Sequence, residues 1–171
     1  MKKLDTRSWM VMALMIAISV ILSRFFSLQT EILRLSLGYI PIIITGILLG
    51  PVAGGIVGVA ADFLGTTFFS AYAWFPPLAL TPLFIGIWSG LLRGQFMKNN
   101  FWLTACFNFC GNVIGRIIIS SACLHILYGI GFDVLLATRI PSSIIMTAIE
   151  SALIYMILKS PVTKYAHQRR L

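Results

Sequence analysis

Arg24, Asp62, Arg116 and Glu150 lie inside or at the ends of apolar stretches long enough to cross a bilayer. An ionised side chain at the bilayer centre costs at least about 2.5–3.5 kcal/mol. Such residues therefore turn toward a protein interior and mark a ligand or ion path. Asn108, Asn112 and Arg116 recur at i, i+4 and i+8, which puts them on one slowly drifting helical stripe. A stripe of amides ending in a guanidinium can read a ligand edge and clamp a carboxylate through two parallel hydrogen bonds. The same stripe can instead be an interhelical network in which Arg116 pairs with Glu150. Asp62 needs a cation or several donors around it. Either an arginine locks it, or it accepts two parallel hydrogen bonds from an amidine-like ligand edge. Arg24 and Arg34 flank an outer loop and suit a carboxylate or phosphate.

Other groups are candidates for contact rather than charge. Tyr72, Trp74 and Phe75, followed by Pro76 and Pro77, form either an interfacial aromatic belt or a stacking platform for a planar ring. Ala13-x-x-x-Ala17, continued by Ser19 and Ser23, is a small-residue face that lets another helix approach closely. Catalytic patterns are missing. The chain has no Walker-type glycine loop, no His-Glu-x-x-His and no nucleophile elbow. Its five carboxylates and two histidines, His125 and His167, offer no cluster for paired Mg²⁺. We expect no enzyme, no metal site and no cofactor. Cys106 and Cys110 stand four apart without a histidine or acidic partner, so with Cys123 they read as buried packing residues.

These residues must be positioned by membrane helices. The chain is 58% hydrophobic and 11% charged, against roughly 25% charged in a soluble domain. The expected architecture is an all-α integral membrane protein, a single membrane domain over 1–171 built as a six-transmembrane-helix bundle. The helices are expected at about 8–26, 37–49, 52–69, 78–92, 101–127 and 139–158. The segments between them at 27–36, 70–77 and 128–138 read as outer loops. Lys2, Lys3 and Arg7 precede the first apolar run, Arg93 and Lys98 fall in a mid-chain break, and Lys159, Lys164, Arg169 and Arg170 follow the last run. An even number of spans puts all of these on one side, so both termini are expected to be cytoplasmic. The net charge of +8 thus reads as topology and contact with the lipid bilayer, and nucleic acid is not an expected partner. The first apolar run is followed at once by Arg24 and lacks a small-residue cleavage site, so it reads as a retained helix.

In order and spacing, these features resemble the substrate-binding (S) components of energy-coupling-factor vitamin transporters, and specifically the folate group. The resemblance covers nearly the whole chain. It is carried by Ala13-x-x-x-Ala17, the stretch Ile21 to Gly38 (ILSRFFSLQTEILRLSLG), and Gly46-x-x-x-Gly50-Pro51 leading to Ala61-Asp62-x-x-Gly65. Ala73-Trp74-Phe75-Pro76 and Gly86-x-x-x-Gly90-Leu91 complete it. Pro77 departs from the pattern, standing where the family tends to carry glycine. The resemblance implies a bacterial cytoplasmic-membrane protein that captures folate or a reduced folate from outside. It implies docking through Ala13 and Ala17 on a transmembrane coupling protein driven by two ATPase subunits, where ATP hydrolysis would reside. It further implies that Asp62 takes the pteridine amino and ring N–H groups while Asn108 and Asn112 serve the remaining edge. Phe68, Tyr72 and Trp74 would stack, and Arg24, Arg34 or Arg139 would meet the glutamate carboxylates. Two alternatives stay open: an S component for another vitamin (another pterin, riboflavin, thiamin or a queuosine precursor), and a membrane scaffold subunit without transport.

Overall fold

Helix α1 (Thr6–Phe25) buries two serines and a methionine and turns most of its bulky apolar side chains outward. Ser8, Met12 and Ser19 are buried, whereas Trp9, Met10, Leu14, Ile21 and Phe25 are exposed. That is the inverse of a soluble amphipathic helix, and it is the low-energy arrangement where the surroundings are lipid. The computed structural model describes residues 6–25, 27–29, 34–69, 75–96, 101–128 and 131–159. Among these, four helices are long and apolar enough to cross a membrane: Thr6–Phe25, Pro51–Phe69, Phe101–Ile126 and Arg139–Ile157. Two shorter apolar helices, Tyr39–Leu49 and Pro76–Leu91, accompany them.

The shortest apolar helix occupies the centre. Helix α2 (Tyr39–Leu49) buries every residue from Ile40 to Ile47. A helix that is hydrophobic all round belongs inside a bundle. Ile40, Ile43, Ile44 and Ile47 join Ile85 and Ile154 in one core cluster, while Ile42 joins Met12, Ala53 and Val57 in a second. Gly50 ends α2 with a φ of 101°, a conformation that a side chain would strain. Pro51 then opens α3 (Pro51–Phe69) at the first position, where its missing N–H has no intrahelical acceptor to lose.

Helices α3 and α4 (Leu80–Leu91) pack tightly together, and where their glycines meet the contact is made by backbone. A Cβ on Gly54 would lie 2.5 Å from the Gly86 carbonyl oxygen and 2.8 Å from Gly46 Cα. Glycine is needed here because two helix backbones occupy the space that a side chain would fill. A 3₁₀ turn over Pro76–Ala79 leads into α4. Pro77 is absorbed in that turn, and its carbonyl accepts from Cys123 Sγ at 3.4 Å. A single turn, α5 (Arg93–Phe96), follows α4.

Three segments differ from the sequence expectation. The stretch 27–36, read as a loop, holds an antiparallel hairpin of β1 (Ser27–Gln29) and β2 (Arg34–Ser36) in which Leu28 stands opposite Leu35. The fifth helical segment is not one regular helix. It runs as α6 (Phe101–Asn112), a π-helical turn (Val113–Ile119) and α7 (Ser120–Tyr128). Finally, α8 (Phe132–Lys159) begins seven residues before Arg139. The glycines at 129 and 131 mark a break, but residues 132–138 contain no breaker, and Asp133 places a carboxylate in the first turn where the free amides favour it. Pro141 is accommodated inside α8.

Cys106 and Cys110 are exposed on α6, and Cys123 is half-buried. The expectation that they pack inside is corrected for the first two. On a lipid-facing surface a thiol finds apolar surroundings without entering the core, so burial and exposure are not opposites for it.

Candidate functional site

Two polar clusters lie inside the bundle and share one tyrosine. The first is a cavity of about 30 Å³, room for a single water molecule. Arg24, from the last turn of α1, and Asp62, from the middle of α3, line it together with Ser19, Ser23, Ser36 and Tyr39. Local sequence explains its shape. Gly65 carries no side chain, which lets the Arg24 guanidinium lie against α3, where a Cβ would sit 3.3 Å from the arginine Nη2. Ser19 Oγ donates to the Gly38 carbonyl at 2.6 Å and ties α1 to the entry of α2. Thr66 Oγ1 donates to the Asp62 carbonyl at 2.7 Å.

The second cluster joins α6 and the π-helical turn to α8. Glu150 is 0% exposed and accepts from Asn112 Nδ2 at 3.0 Å and from Arg116 Nη2 at 2.5 Å. Asn112 Nδ2 also donates to Asn108 Oδ1 at 3.3 Å, and Asn108 Nδ2 donates to Ser151 Oγ at 3.1 Å. Arg116 stands within the π-helical turn, and its side chain is 11% exposed. Wider turns of this kind recur at functional positions; this one sets where the guanidinium points relative to Asn112. Arg139 Nη1, from α8, donates to the Arg116 carbonyl at 3.0 Å and to Ser120 Oγ at 2.6 Å. Arg116 is therefore held at both its backbone and its side chain by α8.

Tyr39 connects the clusters. Its ring lines the Asp62 cavity and carries the Arg116 guanidinium 4.3 Å from its centroid, inside cation–π range. Sequence reasoning did not select Tyr39, Ser19 or Ser120 as site residues. One available signal was that Tyr39 begins a short apolar helix directly after the polar stretch that ends at Gly38.

The residues singled out from sequence thus fall into three groups. Arg24 and Asp62 meet at the cavity. Asn108, Asn112 and Arg116 form the network with Glu150 that sequence offered as one of two readings, and Arg139 abuts it. Phe68 is brought to neither cluster, being 72% exposed near the end of α3; Arg34 is the first residue of β2, and its side chain lies outside what the structure describes. Tyr72 and Trp74 lie outside the described residues. Ala13 and Ala17 are exposed together on the outer face of α1.

A family model described as "ECF-type riboflavin transporter, S component" matches residues 3–164. The folate transporter FolT of Clostridium novyi is 32% identical over 158 residues, covering 91% of this chain and 88% of the relative. The folate transporter FolT of Leuconostoc mesenteroides subsp. mesenteroides is 22% identical over 172 residues, covering 98% and 92%. A crystal structure of FolT bound with folic acid superposes with a TM-score of 0.81 at 26% identity, covering 91% of this chain and 95% of that one. The helical order with its central short helix and the match over nearly the full length lead to one conclusion: the chain belongs to the S components of ECF-type transporters.

Proposed function

We propose that this chain is the folate-binding membrane subunit of an energy-coupling-factor uptake system in a bacterial cytoplasmic membrane. It crosses the membrane six times as one domain with both termini inside. It captures folate or a reduced folate outside, docks on a transmembrane coupling protein with two ATPase subunits, and catalyses no reaction itself. The observation that carries this reading is the 32% identity to a folate transporter across 91% of the chain. Interior chemistry supports it, because a carboxylate at one polar cluster and two arginines at the other suit a ligand with an amidine-like edge and a distal acid.

Asp62 is assigned the pteridine edge, with Arg24 and Tyr39 as its neighbours in the cavity. Asn108 and Asn112 serve the site by orienting Glu150, to which Asn112 donates directly while its amide also donates to Asn108; Arg116 joins the network through Glu150. Phe68, Tyr72 and Trp74 are assigned to stacking and Arg34 to the outer carboxylates.

A second reading follows from the matching family model, which is that of a riboflavin component. Riboflavin is uncharged and offers no acid for the arginines. Thermal unfolding of the purified chain with folic acid or riboflavin distinguishes the two, since a ligand at about a thousandfold excess over its Kd contributes about 4 kcal/mol. Folic acid is expected to raise the melting temperature and riboflavin to leave it unchanged; the reverse pattern would transfer the assignment to riboflavin. Asp62→Asn keeps the shape but replaces one acceptor with a donor. It is expected to weaken folic acid binding by at least about tenfold, and unchanged affinity would remove Asp62 from the pteridine.

The exposed pair Ala13 and Ala17 is the docking face in this reading. Ala13→Trp with Ala17→Trp adds bulk where a partner helix must approach closely. Folic acid binding by the isolated chain is expected to stay within about twofold, while uptake by cells carrying the whole transporter is lost. Uptake at the wild-type rate would place the docking face elsewhere.

A further inference from the structure

The fifth helical segment changes register at Ser120. In an α-helix the Ser120 N–H would donate four residues back, to the Arg116 carbonyl. Here it donates five back, to the Gly115 carbonyl. The Arg116 carbonyl accepts instead from Arg139 Nη1 of α8, at 3.0 Å. The same nitrogen donates to Ser120 Oγ at 2.6 Å. One guanidinium nitrogen therefore holds the two residues that an α-helical turn would join directly.

A carbonyl without a donor is costly inside a membrane, where no water reaches it. The wide register thus needs a donor on Arg116 from outside the segment, and Arg139 supplies it. Gly115 lets the turn lie against α4, where a Cβ would come 3.0 Å from Ile85 Cγ1. Upstream the segment is pinned. Trp88 Nε1 donates to the Phe107 carbonyl at 3.0 Å, and Asn108 and Asn112 are bonded to α8. Downstream, α7 reaches the Pro77 carbonyl through the Cys123 thiol at 3.4 Å, and a thiol is a weak donor. A change of register in the turn is therefore taken up by α7 and not by α6.

We infer that Arg139 is a register lock, a positioning residue that keeps the π-helical turn open by replacing the Ser120 N–H on the Arg116 carbonyl. Withdrawing it lets Ser120 take that carbonyl, and the turn closes into α-helix. Closure by one residue rotates α7 by about 100° and advances it by about 1.5 Å, which carries Cys123 off Pro77 at the start of α4. Arg116 lies within the same turn, so its place on Glu150 and over Tyr39 is set by the same lock. Pro141 supplies the hinge. It stands inside α8 between Arg139 and Glu150, and a proline removes an i→i−4 bond and lets a helix bend there. The first part of α8 can thus tilt and withdraw Arg139 while Glu150 keeps its place. The inference stands on the chain's own geometry and does not depend on which vitamin is carried.

The first measurement is the infrared S–H stretching band of Cys123, in the full chain with Cys106→Ala and Cys110→Ala so that one cysteine is left. With Arg139 present the band is expected at the lower frequency of a hydrogen-bonded thiol. Arg139→Met keeps an unbranched side chain without a donor, and there the band is expected to move to the frequency of a free thiol. A band that stays in place in Arg139→Met overturns the lock, and so does a free-thiol band with Arg139 present. The second measurement adds deletion of Ile118, an exposed residue within the turn. In that chain the Gly115 carbonyl lies four residues before Ser120 and the Arg116 carbonyl four before Ser121, so both have α-helical donors without Arg139. Arg139→Met is expected to lower the melting temperature by about 5 °C or more in the full-length chain. On the deletion it is expected to change it by no more than about 2 °C. An Arg139→Met chain that folds only with the deletion is the same result in stronger form. Equal losses in both chains, or failure to fold in both, overturn the inference.

Discussion

Glu150→Ala is expected to destabilise the chain by about 3–5 kcal/mol, the range for removing one partner of a buried ion pair. The size follows from what remains. Glu150 is fully buried, and its loss leaves Arg116 charged in the interior with no carboxylate while the Asn112 amide loses its acceptor. The damage spreads because Arg116 sits in the π-helical turn, so α6 and α8 lose their central tie together. Thermal unfolding in detergent should show a drop of about 10 °C, given roughly 2–4 °C per kcal/mol for a chain of this size. Arg116→Leu combined with Glu150→Leu removes both charges and is expected to recover more than half of the loss, because a buried pair is worth little net of its desolvation. A melting temperature for Glu150→Ala within 2–3 °C of wild type, roughly 1 kcal/mol, would show that Arg116 finds another anion or water and that the pair is not a structural tie.

The second large effect is expected at Gly86. Gly86→Leu should prevent formation of the bundle, and Gly86→Ala should cost about 1–3 kcal/mol or more, the range for overpacking a filled core. A Cβ at Gly86 meets the carbonyl group of Gly54 and, at 2.9 Å, the Gly55 nitrogen. These are backbone atoms of a packed helix and cannot rotate aside as a side-chain tip can. Helices α3 and α4 would separate, and α2, held between them and the other helices, would lose its cover. Gly94→Ala is the control, since nothing lies within 4 Å of a Cβ there; its effect should stay within about 0.5 kcal/mol. Monodisperse elution and melting temperature of the three variants measure this directly. A Gly86→Leu protein that melts like wild type would mean that the helices are not in backbone contact.

Much of this was legible without coordinates. The apolar runs disclosed helices of membrane length, because the cost of unsatisfied backbone in lipid leaves helices as the natural solution for such runs. The polar stripe on the fifth segment was legible from spacing, and so was its interhelical reading with Arg116 on Glu150.

What the sequence did not determine has a common cause. Periodicity reports what lies on one helix and is silent on which helix faces it. The π-helical turn at Val113–Ile119 was hidden because no residue type marks it. It persists among neighbours that satisfy it, here Arg139 on the Arg116 carbonyl. Tyr39 could not be recognised as the shared wall of two clusters, since that role exists only once α2 is buried between α1, α3 and α8. The sequence by itself determined a membrane-embedded helical chain with charges that must face inward and a small-residue face on its first helix. Only the tertiary structure decided that Arg116 and Glu150 neutralise each other, because an interior charge is defined by the partners that packing brings within reach.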